Sequence, residues 1–224
     1  MSLEIVETAD GSHSIFSTDF GENYHSRHGA LQESKHVFIE AGLNYVLTYK
    51  EKIDLLEVGL GTALNALLTL QTVLDVPAEV HYVGLEPLPV PMELVKQLNY
   101  PQLLSADGYL QDFFFKIHEC PWEEKVEILG NFSITKHQTS LESFSTNFPS
   151  FDLVYFDAFA PVKHPVLWEV PALQHLHSLM RVGGILVTYC AKGQFKRNLK
   201  EVGFLVEALP GPKGKREMTR ATKI

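Results

Sequence analysis

The sequence predicts an α/β fold, a mostly parallel sheet with helices on both faces. Three observations predict it. Short apolar runs recur along the chain. Segments with helical spacing alternate with them. The first well-marked run ends at glycine, where a strand would hand over to a helix. A chain of 224 residues is long enough for one well-buried core.

Residues 1–28 are polar and rich in turn formers, and read as an extension with short strands. Residues 31–49 have helical spacing, with apolar Val37, Ile39, Leu43, Val46 and Leu47; Gly42 is expected at a helix end or bend. Residues 53–59 read as a buried parallel strand. Leu60-Gly61-Thr62 turns the chain into a helix over 63–74, and residues 80–85 form a second strand ending at Glu86-Pro87. The order strand, glycine turn, helix, strand is a βαβ unit.

The alternation continues with a helix over 109–118 and a hairpin of residues 126–129 and 132–136 about Gly130-Asn131. A buried strand spans 151–156 and a loop with two prolines spans 160–165. A helix covers 168–179, a turn 181–184, a strand 185–189, a helix 195–201 and a strand 204–208. The terminal residues 218–224 alternate and are expected to form an antiparallel edge strand. Residues 1–50 are taken as an extension and helix packed on the core formed by 51–224, one structural domain in all.

Composition narrows the setting. Hydrophobic residues at 45% and charged residues at 21% suit a globular chain. No apolar run is long enough for a transmembrane helix, and the polar, acidic start is unlike a secretory signal, so no membrane association is expected. Cys120 and Cys190 belong to no C-x-x-C pair and fit free thiols in a reducing cytoplasm. The ten histidines show no metal-binding spacing, and no metal is assigned. The net charge of −8 is uneven: residues 181–224 hold 10 of the 19 Lys+Arg and 3 of the 27 Asp+Glu. That end carries +7 against −15 for the rest, enough to offer a polyanion a basic face, although charge alone favours a merely solvated surface.

In an open α/β sheet, ligands bind beyond the carboxyl ends of the strands. Glu57-Val58-Gly59-Leu60-Gly61 occupies that place, and Glu86 ends the following strand, where a carboxylate takes the ribose hydroxyls of an adenosine. A dinucleotide loop would want a third glycine where Leu64 stands. An acid two residues before the first glycine resembles instead the loop that binds S-adenosylmethionine (SAM), giving a Rossmann-like SAM-dependent methyltransferase fold.

Four segments then carry a closer resemblance: Tyr24-His25-Ser26 with Gly29-Ala30-Leu31-Gln32-Glu33-Ser34; the loop from Leu55 to Asn65; Asp157-Ala158-Phe159-Ala160-Pro161-Val162-Lys163-His164-Pro165 leading to Trp168; and Gly214-Lys215-Arg216-Glu217-Met218. From about Phe20 onward the chain resembles the methyltransferase domain of MnmC-type tRNA wobble-uridine enzymes. The resemblance implies SAM-dependent methylation of an aminomethyl group in the tRNA anticodon region. Some members are fused to an FAD-dependent oxidoreductase that exposes the amine. That domain has no counterpart here, so the resemblance implies a stand-alone methyltransferase served by a separate oxidoreductase. The chain departs from the family pattern at Ala63 and Ala158, where glycine is usual, and at His137-Gln138, where an Asp is usual.

Methyl transfer to an amine needs a neutral nucleophile held in line. Asp157, at a strand end, is the candidate to orient the amine and take its proton; the competing reading is a cap on the following loop. Glu57, Gly59, Gly61, Glu86 and Gln138 are the candidate cofactor residues, with Gln138 on the adenine. Ser26 and Glu33 are candidates to close over the methionine end. Phe159 stacks on the target base or fills the core beneath its loop. Lys163, Lys215 and Arg216, with Lys196, Arg197 and Lys213, are candidate phosphate contacts. A small amine as methyl acceptor, a non-catalytic SAM-binding protein and a nicotinamide dehydrogenase are the competing functions.

Overall fold

The computed structural model describes residues 2–224. The extension folds into a small antiparallel sheet of β1 (Leu3–Glu7), β2 (His13–Ser17) and β3 (Glu22–Asn23). One continuous helical stretch follows: α1 (Ala30–Ser34), a π-helical segment (Lys35–Leu43) and α2 (Asn44–Leu47). Gly42 lies inside this stretch rather than at its end or at a break. A Cβ there would come within 2.9 Å of Val187 Cγ2, so the missing side chain lets the helix lie directly on the sheet.

The main body runs β4 (Lys52–Val58), α3 (Leu64–Val73), β5 (Glu79–Leu85), α4 (Met92–Val95), α5 (Tyr100–Leu104) and α6 (Tyr109–Glu119). It continues through β6 (Lys125–Leu129), β7 (Phe132–His137), β8 (Phe151–Phe156), a 3₁₀ turn (Pro165–Trp168) and α7 (Val170–Leu179). β9 (Met180–Thr188), α8 (Gly193–Glu201), β10 (Phe204–Pro210) and β11 (Glu217–Lys223) complete it. The short helices α4 and α5 had no clear periodicity to announce them. Residues 181–184, expected as a turn, are part of β9.

The eight-stranded sheet has the order β10-β11-β9-β8-β4-β5-β7-β6. The five strands from β9 to β7 are parallel; β6 and the pair β10–β11 are antiparallel. The last strand is therefore not at the edge as expected. β11 pairs with both β9 and β10, and β10 is the edge strand.

Side-chain alternation divides the core. Leu55, Tyr82 and Tyr155 face the layer that includes α3 and α6, whereas Leu56, Val83 and Val154 face the layer of α7 and α8. From β4 the chain first builds outward through β5 and β7, then returns to add β8 on the other side of β4. That reversal opens a crevice beyond the carboxyl ends of β4 and β8. At the opposite end, Asp152 accepts hydrogen bonds from Lys50 and Arg181 at 2.5 and 2.7 Å, and Arg181 also reaches Asp54 at 2.9 Å. Cys120 and Cys190 are buried and unpaired. Among the described residues, no helix is long and apolar enough to cross a membrane, and no His, Cys, Asp and Glu group is arranged to hold a metal.

Candidate active site

The turn after β4 is shaped by its backbone. Gly59 (φ +92°) and Gly61 (φ +49°) occupy left-handed conformations that favour glycine. A Cβ on Gly59 would lie 2.8 Å from Asp157 O, and one on Gly61 would lie 3.0 Å from Tyr24 Cδ1. Gly59 and Leu60 donate to Leu85 O, tying the turn to β5. Behind it, Thr62 O accepts from His118 Nε2 at 3.2 Å, and Tyr100 donates to Thr62 Oγ1 at 3.3 Å. Burial drops the His118 imidazole to about 4, so it holds this bond as a neutral ring near pH 7.

Two chambers open here. The first is lined by Gly59, Gly61, Glu86, Thr139, Ser140 and Leu141, among others. Glu86 stands at the end of β5 and accepts from Gly61 N and Leu88 N, both at 2.9 Å. One oxygen is thereby fixed on each backbone amide, with lone pairs left for a diol. Burial raises its pKa, while the two amide bonds pull the other way. The second chamber is lined by Glu22, Asn23, Ser26, Glu33, Tyr189 and Lys215, among others. Tyr24, Asp157, Ala158 and Phe159 line both chambers and form the wall they share.

Asp157 immediately follows β8, with its amide bonded to Val58 O at 3.1 Å. Its carboxylate accepts a 2.8 Å bond from Asn65 Nδ2, and the same nitrogen donates to Glu57 Oε1 at 2.8 Å. Burial, reinforced by the Glu33 charge, pushes the Asp157 carboxyl up to about 7; the Asn65 bond and the Lys215 charge oppose that rise. Lys215 itself lies 2.5 Å from Glu33 Oε1 and 4.0 Å from the centre of the Tyr189 ring. Phe159 stacks on Phe20 with centroids 4.4 Å apart and meets Tyr24 edge-on at 5.2 Å.

The structure thus brings Gly59, Gly61, Glu86, Asp157 and Phe159 to one crevice, and Ser26, Glu33 and Lys215 to its second chamber. Ser26 N donates to Glu33 Oε2 at 2.9 Å, so the two are joined within that chamber. Glu57 does not line either chamber: it is 1% exposed, accepts from Tyr82 and Asn65, and supports the turn from beneath. Gln138 is exposed outside the first chamber, and Thr139 and Ser140 take the wall position assigned to it. Lys215 is a chamber wall residue engaged by Glu33 and Tyr189 rather than a free surface cation. Lys196 is likewise engaged, 2.9 Å from Glu217. Lys163, Lys213 and Arg216 are exposed.

Sequence reasoning missed Asn65, Tyr189 and the roles of Glu22 and Asn23. Asn65 had a signal, a single amide among the leucines and alanines that open α3. The other three gave none, because only the fold brings β3 against the end of β9.

The first chamber fits SAM. Its glycine cradle would be filled by any Cβ, its strand-end carboxylate suits a ribose diol, and Leu88, Leu141 and Leu167 give it apolar walls for a purine.

Residues 128–224 match the family model described as S-adenosyl-L-methionine-dependent methyltransferase. Among curated proteins, the chain is 30% identical over 222 residues to a tRNA 5-methylaminomethyl-2-thiouridine biosynthesis bifunctional protein MnmC of Cupriavidus metallidurans, covering 92% of this chain and 32% of that protein. It is 28% identical over 213 residues to the protein of the same name from Marinomonas sp., covering 91% and 31%. The chain therefore spans about a third of the length of these relatives. Among solved structures, MNMC2 from Aquifex aeolicus superposes with a TM-score of 0.75 at 24% identity, covering 99% of this chain and 70% of that one.

Proposed function

We propose that this chain is an S-adenosyl-L-methionine-dependent methyltransferase that transfers methyl to the primary amine of an aminomethyl group on a tRNA wobble uridine, giving methylaminomethyl uridine. The observation that carries the reading is the junction of two chambers at Asp157. The glycine turn and Glu86 suit the cofactor on one side, and an acceptor-rich space lies on the other. The curated relatives are named for making 5-methylaminomethyl-2-thiouridine, which supplies the chemical identity of the acceptor.

Bound SAM supplies an electrophilic methyl on a sulfonium. Gly59, Gly61 and Glu86 would hold it, with Glu86 suited to the ribose hydroxyls and Thr139 and Ser140 to the adenine. Glu57 holds Asn65, and Asn65 in turn holds Asp157, so these two act by positioning.

Asp157 orients the amine and takes its proton. An alkyl ammonium parts with a proton reluctantly near neutral pH. A carboxyl at about 7 is a better receiver than one at its ordinary value of 3.8. That difference narrows the gap by about 4 kcal/mol. Phe159, already stacked on Phe20, offers a ring face to a uracil that has left its neighbours. Ser26, Glu33 and Lys215 close the far side of the acceptor space. Lys163, next to Gly21, and Arg216, next to Lys215, flank that side and suit phosphates. A separate oxidoreductase would supply the amine, and the cytoplasm is the compartment where such tRNA is met.

The test uses methyl-labelled SAM and tRNA bearing the unmethylated aminomethyl uridine. Label recovered in methylaminomethyl uridine is the expected result. Unlabelled tRNA with a protein that binds SAM overturns the substrate.

A further inference from the structure

The second chamber contains two buried oxygens that nothing in the protein satisfies. Glu22 Oε2 and Asn23 Oδ1 both lack a hydrogen-bond partner, and both residues line the chamber that ends at Asp157. An unsatisfied buried acceptor costs about 1–3 kcal/mol. Two in adjacent residues, on the wall of one cavity, mark a place where donors arrive from outside.

Their backbone is fixed in advance. β3 pairs with β2 through Phe16↔Asn23 and Ser17↔Glu22, and Tyr24 N closes the strand with a 2.8 Å bond to Ile15 O. The main chain that carries the two side chains is therefore held in place by β2. The chamber also favours a cation. Glu22, Glu33 and Asp157 face Lys215 and Arg27, with Lys215 committed to Glu33 and Arg27 exposed.

We propose that Glu22 and Asn23 are specificity-determining residues, whose carboxylate and amide oxygens accept N–H bonds from the ammonium of the methyl acceptor. This rests on the reading of the substrate given above. A primary ammonium has three donors, enough for Glu22, Asn23 and Asp157 together. The proton shared with Asp157 is the one that leaves, and the lone pair it uncovers lies along that direction, at the wall shared with the first chamber, while the other two N–H groups stay on Glu22 and Asn23. An acceptor with a hydroxyl in place of the amine has one donor and no charge, so at least one wall oxygen remains unsatisfied.

The experiment compares Glu22→Gln, Asn23→Ala and the unsubstituted protein on two oligonucleotides, one with an aminomethyl uridine and one with a hydroxymethyl uridine. Binding is measured without SAM by titration, and methylation of the amine-bearing RNA is followed separately as KM and kcat. The unsubstituted protein is expected to prefer the amine-bearing RNA by about 10-fold or more. Each variant is expected to lose most of that preference, with KM rising about 10-fold, kcat changing less, and SAM affinity and melting temperature preserved. A variant that also loses SAM affinity has a structural defect, and the double variant Glu22→Gln with Asn23→Asp, which restores one charge, must then recover the preference or the proposal falls. If the amine-bearing RNA is neither bound nor methylated by the unsubstituted protein, the substrate reading fails and this assignment fails with it. If it is methylated and both variants keep the preference, the assignment alone is overturned.

Discussion

Asn65 donates a 2.8 Å hydrogen bond to Asp157, joining the first turn of α3 to the residue after β8. The bond crosses 92 positions of sequence and fixes the carboxylate of a residue that lines both chambers. It also lowers a pKa that burial and Glu33 push up to about 7. Removing the Asn65 amide as Asn65→Leu is expected to raise that value further. The rising limb of the rate against pH would move to higher pH, readable in single-turnover methylation.

In the proposed reaction Asp157 sets the pH dependence. Below about pH 7 its carboxyl is protonated and cannot receive the proton of an amine, so transfer is expected to rise as pH climbs through 7. Asp157→Asn should remove that limb and cut kcat by about 10²–10⁴-fold. Stability changes in the opposite sense. The folded-state pKa lies above that of the unfolded chain, so the native state holds the extra proton between about pH 4 and 7. Stability from this group is present at low pH and is lost as pH rises through that window. Asp157→Asn should therefore raise the melting temperature at pH 8 and leave it nearly unchanged at pH 4.

In the proposed function Glu86 accepts from the ribose hydroxyls of the cofactor. Glu86→Ala removes the acceptor of Gly61 N and Leu88 N as well as any bond to a diol. SAM affinity measured by calorimetry is expected to fall by about 10–100-fold, since hydrogen bonds to a charged group contribute about 1.5–3 kcal/mol. An unchanged affinity would remove SAM from the first chamber.

Gly59→Ala forces a side chain onto a φ of +92° and places its Cβ 2.8 Å from Asp157 O. The strain is expected to cost about 1–3 kcal/mol in chemical denaturation and to abolish SAM binding. Ala63 is a natural contrast. It already sits in the left-handed region at φ 55° and is fully buried.

Asp152→Ala is a control at the other end of the sheet. It leaves Lys50 and Arg181 without their shared carboxylate, which is only 3% exposed. Thermal unfolding should show a loss of about 1–3 kcal/mol, while SAM affinity stays the same.

Much of this was legible in the sequence. The strands 53–59, 80–85 and 151–156, the glycine turn, Glu86 and Asp157 were all readable, because strand periodicity and strand-end position are local properties. Gln138 was misplaced by a single position. The wall residues are Thr139 and Ser140, and the exact end of a strand is not fixed by hydropathy. Glu57 was read as a ligand because it belongs to the motif, yet strand alternation turns it toward Tyr82 and away from the crevice. Lys215 looked like a phosphate contact since nothing near it in the sequence reveals Glu33, 182 residues away. The basic end of the chain shows the same effect: Arg181, Lys196 and Arg220 are all held by carboxylates.

The position of β11 bears on how the polypeptide leaves the ribosome. β10 is synthesised first, but in the finished sheet it touches β9 only through β11. Until residues 217–223 emerge, both strands expose unpaired edges, and β10 has no partner within the large sheet. The segment that delivers Lys215 to Glu33 is drawn into place by the same late insertion. A nascent chain halted before β11 would therefore expose the edges of β9 and β10 and lack the strand that anchors the segment carrying Lys215 to Glu33.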